Sequence, residues 1–129
     1  MSTEKTIKPI IFIDQKKMRI RIHRTTLTAL GNPKFVQILV NPKDYYIVIK
    51  SATAKDRLAH RVKTSINSKH YSMELYSKDL ILKFREVCEW LLPSEQYRIS
   101  GEIIASESLA RFNLKNAMVF NSETEAINE

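Results

Sequence analysis

The chain has 129 residues, a formal net charge of +7, 43% hydrophobic and 27% charged residues, a balance that excludes wholesale disorder and suits one folded core. A single cysteine, Cys88, excludes an internal disulfide framework, and two glycines, Gly31 and Gly101, leave no material for a glycine-rich phosphate loop. No apolar run approaches the ~20 residues of a membrane span, and Met1-Ser2-Thr3-Glu4-Lys5 lacks a secretory pattern, so a cytoplasmic protein without membrane contact is expected.

Ile7 to Ile13 reads as a strand, with Pro9 confining it to an edge or a strand start. Asp14-Gln15-Lys16-Lys17 is a break of hairpin length. Met18 to His23 then alternates strictly, which places Met18, Ile20 and Ile22 inward and Arg19, Arg21 and His23 outward. Thr25 or Thr26 is positioned to cap a short helix carrying Leu27 and Leu30, which Gly31 ends in the left-handed conformation. Phe35 to Val40 and Tyr45 to Lys50 form a hairpin around the turn Asn41-Pro42-Lys43-Asp44. In the polar, basic stretch 51–70, Asp56 is a candidate cap for a short helix that turns Leu58 and Val62 inward.

Tyr71 to Tyr76 reads as a strand with Met73 and Leu75 on one side. Ser77 caps the main helix, Asp79 suits the positive end of its dipole, and Leu80, Ile81, Phe84, Val87, Cys88 and Leu91 make one apolar stripe up to Pro93. Gln96 to Ser106 and Leu109 to Phe120 read as one long hairpin with a bulge at Gly101. The acidic end, 121–129, reads as a disordered tail. The expected fold is therefore α+β, a mostly antiparallel sheet with one main helix in a single domain over 1–120. Residues 18–50 and 71–120, joined by the basic connector 51–70, share an order of strand, helix, strand, turn and strand, the pattern of an internal duplication.

The charge is uneven. Residues 1–72 hold 15 Lys/Arg against 4 Asp/Glu, a balance of +11, whereas residues 73–129 hold 6 against 10, a balance of −4. A basic half of this kind points to a polyanion. Lys17, Arg19, Arg21 and Arg24 cluster at the second strand, where alternate residues stand ~7 Å apart on one face, near the phosphate repeat of a nucleic-acid strand. Arg57, Arg61 and Lys63 lie in the connector, with Arg57 and Arg61 four apart, and Lys16, Lys55 and Lys69 extend the two clusters. A solvated sheet face and a plain surface loop are the competing readings. The five tyrosines, 45, 46, 71, 76 and 97, offer either stacking surfaces for bases or half-buried packing.

No enzyme site can be assembled. His23, His60 and His70 have no metal-ligand spacing, Cys88 lies on the apolar stripe as a small core residue, and no catalytic triad or paired carboxylates can be placed. No cofactor, metal or small-molecule ligand is expected. Leu82 and Trp90 fall off the helix stripe, which suggests a homodimer contact.

Residues 18–50, a strand ending in basic residues, a short helix closing at Leu30-Gly31 and a hairpin from Phe35 to Lys50, resemble the AbrB/SpoVT swapped-hairpin family of bacterial transition-state regulators. His23 stands where that family has a proline, and Pro33-Lys34 where it has Gly-Asp. The resemblance implies DNA binding through Arg19, Arg21 and Arg24. The order of elements is also similar to the TATA-binding-protein architecture of two sheet-and-helix repeats. The expected function is that of a non-catalytic DNA-binding regulator or accessory factor, with DNA preferred to RNA. The alternative is a protein-interaction module docking an acidic partner.

Overall fold

Residues 10–22 make a hairpin whose alternate side chains are buried, and further strands flank it on both sides. In the computed structural model, which describes residues 8–63, 73–89 and 95–120, β1 (Ile10–Asp14) pairs antiparallel with β2 (Arg19–Ile22). Pro9 immediately precedes β1, as a residue without an N–H requires, and its carbonyl accepts from the Gly101 N–H at 2.9 Å. Ile7 lies outside the described residues. Helix α1 (Arg24–Ala29) follows, then β3 (Phe35–Asn41), β4 (Tyr46–Ala52) and the short β5 (His60–Arg61). After these come β6 (Met73–Tyr76), α2 (Lys78–Val87), β7 (Gln96–Ser100), β8 (Glu102–Ile104), β9 (Leu109–Asn113) and β10 (Met118–Phe120). The α+β class and the antiparallel pairing match the sequence reading.

The described strands form two sheets of five, ordered β10-β7-β1-β2-β6 and β5-β3-β4-β9-β8. Register aligns the inward residues of the first sheet into two rows, Ile99, Ile11, Ile22, Met73 and Tyr97, Ile13, Ile20, Leu75. Apart from the half-buried Leu75, these rows share one core with Val36, Ile47, Ile49, Ala110 and Phe112 of the second sheet, Leu27 of α1, and Ile81, Phe84 and Cys88 at α2. The inward period of two and the helical stripe were both legible in the residues. Ser77 caps α2 through its hydroxyl, which accepts from the Leu80 N–H at 3.2 Å, and Asp79 occupies the first turn. Leu82 is exposed on the opposite side of α2 from the core residues; Trp90 and Leu91 lie outside the described residues. Arg85 anchors the last turn of α2 to the β1–β2 loop, donating from Nε to buried Gln15 Oε1 at 2.6 Å and from Nη2 to the Gln15 carbonyl at 3.1 Å.

Several local expectations are corrected. The cap of α1 is His23, whose Nδ1 accepts from the Thr25 N–H at 3.1 Å. Thr26 is instead buried, its hydroxyl donating to the Ile10 carbonyl at 2.8 Å and accepting from the Ile10 N–H at 2.9 Å. Met18 is not an inward strand residue but the left-handed end (φ 54°) of the hairpin loop, only partly buried against the core. Asp56 caps no helix: its carboxylate accepts from the Thr53 N–H at 2.7 Å and hydroxyl at 3.2 Å and closes a turn, leaving Leu58 83% exposed. Val62 is partly buried, but in an extended segment that donates from its N–H to the Lys34 carbonyl at 2.8 Å.

The long hairpin over 96–120 is also replaced. Strand β7 belongs to the first sheet, β8 and β9 form a hairpin in the second, and β10 returns to the first beside β7. The chain changes sheets at Gly101, where a Cβ would lie 2.3 Å from the Arg111 carbonyl oxygen and 2.5 Å from the Phe112 ring. The glycine is required there by close approach rather than by a bulge. This crossing also separates the two units of similar element order. The strand after α1 enters the second sheet, whereas the strand after α2 enters the first.

Candidate nucleic-acid interface

Basic residues at the start of the chain meet two different environments. Arg19 stands on the outer face of β2, but only 12% of its side chain is exposed. Its Nε donates to Asp14 Oδ2 at 3.1 Å, and its Nη1 to Glu74 Oε2 at 3.2 Å and to the Tyr76 hydroxyl at 3.4 Å. Burial draws the Arg19 pKa down, but the Tyr76 hydroxyl and the Glu74 and Asp14 carboxylates outweigh it and leave it raised. Arg21 shares Glu74, with Nε 3.2 Å from Oε2. The alternation correctly turned both arginines away from the core. It did not show that β6 lies alongside and brings Glu74 between them.

Lys17 and Arg24 are exposed, the first in the hairpin loop and the second in the first turn of α1. Arg57, Arg61 and Lys63 are exposed and grouped at the opposite sheet, beside β3. With Lys55 they form a basic loop in which Asp56 is already committed to Thr53. Among the described residues, no carboxylate pairs with Lys55, Arg57, Arg61 or Lys63. The Arg57 carbonyl accepts from Gln37 Nε2 at 2.7 Å, which ties the loop to β3. Leu58 sits at the tip with φ 60°, a left-handed conformation that a branched apolar residue adopts only at a cost. Arg61 and Lys34 also line a groove of about 550 Å³ floored by Leu27 and Phe35. The seven basic residues singled out in the sequence thus fall into separate patches on the two sheets, with Lys69 and His70 outside the described residues.

The tyrosines divide by environment. Tyr97 is buried, Tyr76 is 63% exposed, and Tyr45 and Tyr46 lie under the cations of Lys115 (4.9 Å) and Arg111 (4.8 Å). Tyr71 lies outside the described residues. The aromatic surface that sequence reasoning missed is made by phenylalanines. Register on the outer face of the first sheet gives the row Met118, Arg98, Phe12, Arg21, Glu74. Phe12 and Phe120 pack with centroids 4.8 Å apart, and His23 lies 6.3 Å from Phe12. Arg98 sits in the acidic half, so charge counting passed over it, although its place between Tyr97 and Ile99 marked it as outward.

A second set of cations converges where the two sheets meet. A cleft of about 680 Å³ is lined by Lys8, Arg98, Arg111, Glu102, Tyr46 and Phe120, among others. Arg111 donates from Nη2 to Glu102 at 2.9 Å, and that hydrogen bond is the main cause of its raised pKa. No such carboxylate meets Arg98 among the described residues, and the Nε atoms of Arg98 and Arg111 are buried without an acceptor. Among the described residues no group of three His, Cys, Asp or Glu side chains is placed to hold a metal, and no helix is long and apolar enough to cross a membrane. Burial pushes the Cys88 thiol up to about 11, the value of a core residue rather than a nucleophile. No protein-family model, curated protein or solved structure matches the chain.

Proposed function

We propose that this protein binds nucleic acid, DNA in preference to RNA, as a regulatory or accessory factor in the cytoplasm. The observation that carries the reading is the loop 53–63, which presents Lys55, Arg57, Arg61 and Lys63 to solvent with no described carboxylate to neutralise them. Such cations release counterions from a phosphate backbone on binding. Leu58, apolar and exposed at the tip of the same loop, supplies a contact to a base edge or base step. The outer face of the first sheet adds Phe12 and Phe120 as a stacking surface beside Arg98 and Arg21. The resemblance of residues 18–50 to the AbrB/SpoVT regulators points to the same partner. Arg19 is assigned a smaller part than its position in the sequence suggested, because two carboxylates already occupy it.

The test is an anisotropy titration of labelled duplex and single-stranded oligonucleotides at several salt concentrations. Affinity is expected to fall steeply with salt. The change of Lys55, Arg57 and Arg61 to Ala together should lower the slope by about 0.7–0.9 for each phosphate that the variant no longer neutralises. Absence of binding to DNA or RNA at ~50 mM salt, where electrostatic attraction to phosphates is strong, refutes the reading and favours a module that docks an acidic protein.

A further inference from the structure

Among the described residues, three cations and one carboxylate line the cleft between the sheets, and the cleft has the volume of a small-molecule site rather than of a groove for a duplex. Lys8, Arg98 and Arg111 against Glu102 leave a local excess of two positive charges. Glu102 is held by Arg111, while Arg98 meets no described carboxylate. Tyr46 and Phe120 give the same cleft flat apolar walls, and Tyr46 is backed by the Arg111 guanidinium at 4.8 Å. An excess of two charges complements a phosphate monoester, which carries close to two negative charges at neutral pH. Arginine guanidinium groups match phosphate oxygens by paired, charge-assisted hydrogen bonds, and an aromatic wall suits a ring attached to the phosphate.

We propose that this cleft is a binding site for an organic phosphate monoester bearing a flat ring, with Arg98 and Arg111 on the phosphate and Phe120 and Tyr46 along the ring. A free nucleotide and the phosphorylated end of a nucleic-acid strand both carry this chemistry. The site shares Arg98 and Phe120 with the sheet face offered above to nucleic acid, but it contains no residue of the loop 53–63 that carries that reading, so a change confined to the loop separates the two.

Calorimetric titration of the full chain with thymidine 5′-monophosphate, thymidine and inorganic phosphate tests the proposal. The monophosphate should bind saturably. Arg98→Gln and Arg111→Gln should each weaken it about tenfold or more, as removal of a charge-assisted hydrogen bond does. Glu102→Gln, which removes the carboxylate that opposes these cations, should tighten it. The Lys55, Arg57, Arg61 triple change to Ala should leave it unaltered. Urea unfolding of each variant verifies that the fold is retained. A 5′-phosphorylated tetrathymidylate binding at least tenfold more tightly than the free nucleotide identifies a strand end as the source, whereas equal affinity identifies the free nucleotide. Thymidine or inorganic phosphate binding as tightly as the monophosphate overturns the proposal. So does full affinity in Arg98→Gln, or a loss in Glu102→Gln equal to that in Arg98→Gln.

Discussion

Replacing Arg19 by alanine should destabilise this protein far more than its place in an exposed-looking run of basic residues implies. The Asp14 side chain is 2% exposed and the Arg19 side chain 12%, and they meet at 3.1 Å. Removal of one partner of a fully buried pair costs ~3–5 kcal/mol, because the other charge is left desolvated. Asp14 would keep the Lys17 N–H at 3.1 Å, and the hole left by Arg19 would admit some water. The expected loss is therefore about 2–3 kcal/mol. Arg21, with 35% of its side chain exposed and, among the described residues, the half-open Glu74 as its one ion-pair partner, should lose no more than ~1 kcal/mol on the same change. Urea unfolding of the two variants with a common m-value measures both losses. The coupling between Asp14 and Arg19 follows from a double-mutant cycle with Asp14→Asn. Equal losses for Arg19→Ala and Arg21→Ala, both under ~1 kcal/mol, would mean that the pair is solvated and the reasoning from burial fails.

Phe84, fully buried at α2, should cost ~3–5 kcal/mol when cut to alanine, read by the same unfolding assay; a loss below ~1 kcal/mol would show that α2 is not part of the core. Gly101→Ala places a Cβ against the Arg111 carbonyl and should cost at least ~1–3 kcal/mol, since backbone must move to admit it, and an unchanged midpoint refutes the close approach. Cys88, whose thiol is raised to about 11, should resist a thiol reagent at pH 8 in the folded protein and react at once in urea. Because the folded pKa lies above that of the unfolded thiol, its stabilising contribution is complete below the unfolded value and fades as pH rises from ~8.5 towards the folded value. Sedimentation tests the homodimer suggested by exposed Leu82: Leu82→Glu should lower the mass to that of one chain, and an already monomeric parent at micromolar concentration removes the idea.

What could be determined from the residues alone was local. Strict alternation of Ile20 and Ile22 with Arg19 and Arg21 depends only on the pleat of a strand, and the β2 outer and inner faces came out as expected. Ser77 and Asp79 announced α2, and the apolar stripe through Ile81, Phe84 and Cys88 marked its buried face, because capping and amphipathicity act within a few turns of chain. The hairpin turns at 14–17 and 41–44 were legible for the same reason, although each runs one residue further, to Met18 and Tyr45, which take left-handed conformations instead of opening the next strand. Tertiary structure alone decided which strands became neighbours. It set β6 against β2, and so gave Glu74 to Arg19 and Arg21 across a separation of more than fifty residues. It carried the chain from one sheet to the other at Gly101, where a contact with Phe112 and not a local conformation demands glycine. It also drew Lys8, from the start of the chain, into one cleft with Arg98 and Arg111 of β7 and β9. Charge counted along the chain divides it into a basic and an acidic half, but Coulomb's law acts through space, and the cations that line the cleft come from both.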